Sequence, residues 1–275
     1  MKSAHKRVIG AAVVAVALAL AAYGYSQVPA AGKPSKPSAP TKNHRARQPR
    51  PIQLGVSGGN ATDTANGYCC SGTLGALVVD SGGTQYILSN THVFAHDITA
   101  GDADGVAEVG DPIDQPGLVD VKCDVREEDY VARLSKDWAR VDLGANVDAA
   151  IAEVLPGQVD GAGRILEIGT IAATPVEAFP GQAVKKSGRT TGLTSSYVTA
   201  ISVDVTVHYD RECGGTTPFT NDFSGQIMVS NTVRKRTYTF LDAGDSGSLM
   251  VQDVVVNPAP IGLLFAGSDS VAVAN

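Results

Sequence analysis

From residue 51 onward the apolar positions come in short runs broken by Gly, Pro, Asn and Asp, not at helical spacing. The clearest run is Ile201–Val207, where Ile201, Val203, Val205 and Val207 alternate with Ser202, Asp204 and Thr206. A period of two predicts a strand with one face turned to the core. Apolar runs at Leu74–Val79, Tyr86–Leu88, Ala149–Val154 and Ala183–Lys186 predict further strands. Val271 and Val273, alternating with Ala272 and Ala274, predict one near the end. No long helical pattern and no internal repeat interrupts this series. Gly169–Gly181 carries Pro175 and Pro180 and reads as the joint between two halves, residues 51–168 and 169–275. Many short strands in two halves predict an all-β fold of two packed β-barrels.

The first 50 residues follow different rules. Val8 to Ala22 is an unbroken apolar run behind Lys2, Lys6 and Arg7. That is the pattern of an export signal in residues 1–30, with Val28 and Ala30 as the small residues before a cleavage site. Val8 to Tyr25 is 18 residues, near the lower limit for crossing a bilayer, so a retained membrane anchor is the alternative. Both place the rest of the chain outside the cytoplasm: secreted, periplasmic or in the cell envelope. Residues 31–50 are basic and Pro-rich and read as a solvated linker; adhesion to an anionic membrane or envelope surface is the sharper reading. The segment 1–50 holds nine of the 22 basic residues and none of the 28 acidic ones. Residues 51–275 therefore carry 13 basic against 28 acidic side chains, a net charge of −15. So acidic a body repels phosphate backbones, which argues against a nucleic-acid partner.

The four cysteines, Cys69, Cys70, Cys123 and Cys213, are an even set in an exported chain and predict two disulfides. A bridge between adjacent Cys69 and Cys70 is strained, so each is expected to pair with one of Cys123 and Cys213, in either combination. No CxxC spacing points to zinc. His92 and His96 lack the accompanying Glu of a zinc helix, and Asp102–Gly105 lacks the rest of a calcium loop, so neither metal nor cofactor is expected.

The chemistry is concentrated in three places. Ala243-Gly244-Asp245-Ser246-Gly247-Ser248 is a tight turn that exposes a serine, with backbone N–H groups able to face a developing oxyanion. His92 follows the apolar run ending at Leu88. Asp148 sits in Val147–Ala152, a stretch so apolar that a carboxylate there needs a partner. An imidazole N–H is such a partner: the carboxylate orients the ring, and the ring takes the serine proton. Asp142, beside Arg140 and Gly144, is the rival carboxylate and looks more like a loop residue. The order His, Asp, Ser differs from that of the α/β-hydrolases, whose G-x-S-x-G pattern also fails at Ser248.

These segments resemble one family. CCSGTLGALV (69–78), LSNTHV (88–93), VDAAIA (147–152), KSGRTTGLT (186–194), AGDSGS (243–248) and IGLLFAGS (261–268) are similar to segments of the trypsin/chymotrypsin-like serine peptidases, the bacterial exported type. The resemblance implies two packed antiparallel six-stranded barrels with the reacting groups in the cleft between them. It implies a monomeric endopeptidase that hydrolyses polypeptides through an acyl-enzyme without a cofactor. By position, His92, Asp148 and Ser246 become the catalytic triad, and the N–H groups of Gly244 and Ser246 the oxyanion hole. Asp245 becomes the acid that shapes the loop. Phe265, Ala266 and Gly267 take the specificity-pocket wall and Phe240 its base, so small or medium apolar residues are expected before the scissile bond, with Asp269 just past the wall. Ser248 replaces a glycine, Phe265 replaces a serine that supports the aspartate, and no Ile-Val-Gly-Gly start is present for zymogen activation. Two other functions share these residues: an inactive relative that binds peptide or envelope material, and an exported serine esterase.

Overall fold

The computed structural model describes residues 43–65, 67–95, 107–215, 217–232 and 239–275. The expected export signal, the basic segment as far as residue 42, His96 and the Asp102–Gly105 loop lie outside these residues.

The first half begins with β1 (Val56–Asn60), a small hairpin of β2 (Thr64–Ala65) and β3 (Tyr68–Cys69), β4 (Gly72–Leu74), β5 (Ala76–Val79) and β6 (Gln85–Ser89). One helical turn, α1 (Thr91–Phe94), leads towards β7 (Pro112–Asp114), β8 (Tyr130–Trp138) and β9 (Ala150–Val154). The sheet order is β4-β1-β7-β8-β9-β6-β5, antiparallel throughout. Leu74–Val79, which reads as one strand, is bent at Gly75 into β4 and β5. The two ends of the sheet are therefore one bent strand, and the sheet curls into a ring of six. Gly75 is at the bend because nothing larger fits. Its N–H reaches Leu88 O at 3.0 Å. A Cβ there would stand 2.1 Å from Gly247 O and 2.7 Å from Leu88 O, both backbone atoms. Gly75→Ala must therefore push the first ring away from the loop that carries Ser246. Overpacking of this kind costs about 3 kcal/mol or more, a fall on the order of 6–12 °C in melting temperature for a domain of this size. A thermal melt within 2 °C of the wild type would show the contact to be loose.

The second half holds β10 (Ala183–Gly188), β11 (Gly192–Asp210), β12 (Pro218–Ser230), β13 (Leu249–Gln252), β14 (Pro260–Gly267) and β15 (Val271–Ala274). They close into a barrel in the order β10-β11-β12-β15-β14-β13. The architecture is thus the all-β, two-barrel, chymotrypsin-like one. The alternation at 201–207 is realised with one break. Val203, Val205 and Val207 are half-buried on one face, but Ile201 is 42% exposed. Ser202 adopts a left-handed φ of 55°, and the β11–β12 register slips between Ala200 and Val203. This bulge turns Ile201 out of phase with the valines that follow it. The same face continues to Tyr209, which is buried.

One buried apolar cluster runs from the first ring into the second half. It joins Ile52, Leu54, Leu74, Ile87 and Phe94 to Tyr209, Phe223 and Phe265. A smaller one fills the second barrel around Val184, Val198, Phe240 and Leu264. Ordered contacts begin upstream of residue 51. His44 is buried, with Nδ1 2.8 Å from Gly55 O and Nε2 2.7 Å from Glu167 Oε2. Arg47 bonds Asp129 at 2.7 Å, and Arg50 bonds the Gln115 side chain at 2.9 Å and its backbone carbonyl at 3.0 Å.

Both expected disulfides are present, as Cys69–Cys123 and Cys70–Cys213, and no cysteine is free. Successive residues of an extended chain face opposite ways, so adjacent Cys69 and Cys70 reach different partners. Cys70–Cys213 spans 143 residues and ties the first ring to the tip of the β11–β12 hairpin.

Candidate active site

His92 lies in α1, directly after β6, and buried polar groups hold this corner in place. Asn90 Nδ2 donates to Asp148 O at 2.7 Å, and Thr91 Oγ1 bonds the carbonyls of Ala139 and Ala149, each at 3.0 Å. Asp148, just before β9, is wholly buried. Its Oδ1 accepts the N–H groups of Thr91 (2.7 Å) and His92 (3.3 Å). Its Oδ2 lies 2.6 Å from His92 Nδ1 and accepts the Tyr209 hydroxyl at 2.9 Å. A carboxylate facing Nδ1 sets the proton on that nitrogen. The lone pair of Nε2 is then free on the other side of the ring. Asn275 Oδ1 and Nδ2 bond the Asp148 backbone N–H and carbonyl, each at 3.1 Å. The rival carboxylate, Asp142, is engaged elsewhere, with Arg140 at 2.6 Å, and Asp120 pairs with Arg189 at 2.7 and 2.8 Å.

Ser246 and His92 line one cavity of about 780 Å³. Among the described residues no hydrogen bond joins the Ser246 hydroxyl to the ring. The loop carrying Ser246 is fastened on several sides. Thr73 N–H donates to Ser246 O at 2.9 Å, Thr73 Oγ1 to Gly244 O at 2.9 Å, and Thr190 Oγ1 to Ala243 O at 2.6 Å. Gly244 has φ +91°, a conformation that only glycine adopts without strain. A Cβ there would also stand 2.6 Å from Arg189 Nη1. Among the described residues, the N–H groups of Gly244 and Ser246 donate to no protein acceptor. Two unengaged N–H groups beside the half-buried, cavity-lining Ser246 are what an oxyanion site requires.

Asp245 locks this loop from beneath. Its oxygens accept the N–H of Thr190 (2.8 Å), Thr191 (3.1 Å) and Asp242 (3.1 Å) and the hydroxyl of Thr191 (2.6 Å). Lys186 Nζ lies 3.2 Å from Asp245 Oδ2, with both side chains fully buried. Lys186 also donates to Thr191 Oγ1 and to Gly192 O at 3.1 Å. Burial pushes the Asp245 carboxyl up, but Lys186 and the threonine hydrogen bonds outweigh it and hold it below its ordinary value. Burial pulls the Lys186 ammonium down, with Asp245 opposing. Ser248, where glycine was expected, is accommodated because it is buried and its hydroxyl donates to Asp245 O.

Of the expected pocket residues, Phe265, Ala266 and Gly267 line the cavity. Phe240 does not: it is fully buried in the core of the second barrel, with its carbonyl accepting the Thr194 hydroxyl at 2.7 Å. The expectation of a pocket closed by Phe240 is therefore corrected. Counting back along a loop ignores which way the side chain turns, and a Phe gains most by joining the apolar core. Leu241, Asp242 and Asp269 line the cavity. Tyr209 and Lys186 were not singled out from the sequence. Continuing the Val203–Val207 alternation by one step would have marked Tyr209 as inward-facing. Lys186 gave no signal, since a lysine in a strand ordinarily faces water.

The fold is the serine-protease-like, two-barrel one. The chain belongs to the family described as the Nal1 C-terminal domain, whose model matches residues 127–273. Solved structures similar to it include a glutamic acid specific serine protease, with 18% identity, 82% of this chain and 92% of that one covered, and a TM-score of 0.49. A Nocardiopsis protease shares 14% identity over 82% of this chain and 91% of that one, with a TM-score of 0.49. Protease A of Thermobifida fusca shares 13% identity over 81% and 90%, with a TM-score of 0.48. By sequence, no curated protein matches the chain.

Proposed function

We propose that this protein is an exported serine endopeptidase that hydrolyses polypeptides through an acyl-enzyme. The observation that carries this reading is the buried Asp148 carboxylate, 2.6 Å from His92 Nδ1, beside a cavity that His92 shares with Ser246. His92 Nε2 takes the proton of Ser246 as Oγ attacks the scissile carbonyl carbon. The carbonyl oxygen gains the negative charge and is received by the N–H groups of Gly244 and Ser246. The intermediate collapses, the C–N bond breaks, and Nε2 returns the proton to the departing amine. Water then attacks the acyl-serine by the same route, releasing the acid and restoring Ser246. No cofactor enters these steps. Export is supported by two disulfides, which persist in oxidising compartments, and by the signal-like pattern of residues 1–30. The basic residues of segment 1–50 that do not pair with the body, as Arg47 does with Asp129, supply the charge for contact with an anionic envelope, and the acidic body makes nucleic acid an unsuitable partner. A monomer suffices, because every proposed catalytic group comes from one chain.

The test is labelling with a fluorophosphonate probe, followed by turnover of casein and of short acyl esters. The wild type is expected to carry one label, on Ser246, and to cleave casein; Ser246→Ala is expected to do neither. Labelling with ester turnover but no proteolysis would make the protein an esterase. An unlabelled wild type would make it a binding relative with an idle site.

A further inference from the structure

Within the hydrolase reading above, on which this inference rests, we propose that Tyr209 is a positioning residue. Its hydroxyl, carried by the β11–β12 hairpin, fixes the Asp148 carboxylate that orients His92. Resemblance to the serine peptidases places a supporting serine at position 265, where this chain has Phe. The structure puts Phe265 in contact with an aromatic layer instead: its ring is 4.8 Å from Phe223, which lies 6.4 Å from Tyr209. Tyr209 stacks on Phe219 at 5.3 Å and meets the His92 ring at 5.8 Å. This packing aims its hydroxyl at Asp148 Oδ2, the same oxygen that faces His92 Nδ1. One phenol thus donates to the orienting carboxylate and walls one side of the ring.

The hairpin is secured where this function needs it. Cys213, four residues past Tyr209, is bonded to Cys70 on the first ring. Its return strand is stitched to the loop leading to Asp148. Asn221 Nδ2 donates to Ala145 O at 2.7 Å, Ser224 N–H to Asn146 Oδ1 at 2.6 Å, and Asn146 Nδ2 to Ser224 O at 3.1 Å. Burial first, then the Asp148 charge and hydrogen bond, push the phenol far above its ordinary value, so it remains a donor at any working pH.

Tyr209→Phe deletes the hydroxyl and leaves the ring to pack, so the fold should survive, as an unchanged melting temperature within a few degrees will show. The proposal expects kcat to fall roughly tenfold to a hundredfold, the worth of one hydrogen bond to a charged group, with KM within about twofold. Loss of the phenol alters the hydrogen bonding of the oxygen that faces Nδ1, so the kcat/KM pH profile of the variant should not superimpose on that of the wild type. His208, Asp210, Glu212, Asp242 and Asp269, which also line the cavity, are common to both proteins. The difference between the two profiles therefore reports the phenol. Equal phosphonate labelling rates and superimposable pH profiles would overturn the proposal. If the wild type takes no label, the hydrolase reading falls, and the low-field Nδ1–H proton of His92 decides the positioning contact alone. Its resonance should move in Tyr209→Phe; an unmoved resonance would overturn the contact's role.

Discussion

Asp148→Asn is expected to keep the fold and to lower kcat by about ten-thousand-fold, as in other sites of this design. The geometry says why so small a change has so large an effect. Oδ1 accepts two backbone N–H groups, from Thr91 and His92, so the amide oxygen of an asparagine must take that place. Its NH₂ group then occupies the position of Oδ2, 2.6 Å from His92 Nδ1. A donor there forces Nδ1 to accept, which moves the ring proton to Nε2. The base then presents a proton to Ser246 where it should present a lone pair. The phosphonate labelling rate should fall in step with kcat, because both need the activated serine. A fall of less than about tenfold in both would mean that Asp148 does not set the tautomer, and the proposed mechanism would be wrong at its first step.

Lys186→Met is expected to destabilise the protein by about 3–5 kcal/mol at neutral pH, the usual result of stripping a buried charge of its partner. Met fills much of the lysine volume, so the loss reports charge more than packing. In the wild type the Asp245 carboxyl is held below its ordinary value. A carboxylate lowered in this way stabilises the fold above the unfolded-state pKa, and that contribution is lost as pH falls through the folded-state value. In the variant the cation is gone, burial dominates, and the carboxyl moves upward towards neutralisation. The variant's deficit should therefore be largest near pH 7 and shrink in mild acid, where Asp245 can protonate. Asp245 braces the loop that presents the N–H groups of Gly244 and Ser246, so labelling should also be lost or nearly so. Denaturant melts of both proteins at pH 5 and pH 7 test this. A deficit independent of pH would reduce Lys186 to a space-filler.

The cation that Asp245 faces is thus supplied from within the fold, by Lys186 on β10.

Much of this protein is written locally. Period-two alternation at Val203–Val207 specifies a strand and its buried face, because a pleated chain sends successive side chains to opposite sides. Gly244 marks a tight turn, because a residue without Cβ takes its φ of +91° without strain. The apolar setting of Asp148 announces a partner, since an unpaired carboxylate is too costly to bury. The pairing of His92 with Asp148 is legible in this way, and Ser246 joins them in the proposed chemistry. What tertiary structure decided is which distant groups meet. Nothing near Lys186 in sequence shows that it will be sealed against Asp245, and nothing near Tyr209 that a hairpin will carry it across to Asp148. Ser202 moved Ile201 out of its expected phase, and Phe240 turned from the cavity into the core. The pairing of adjacent Cys69 and Cys70 with Cys123 and Cys213 was likewise open until the β11–β12 hairpin was folded back on the first ring. These outcomes depend on strand register, bulges and barrel closure, which arise from contacts among residues far apart in the chain. A local pattern constrains which face a side chain takes, while only the closed fold determines what waits there.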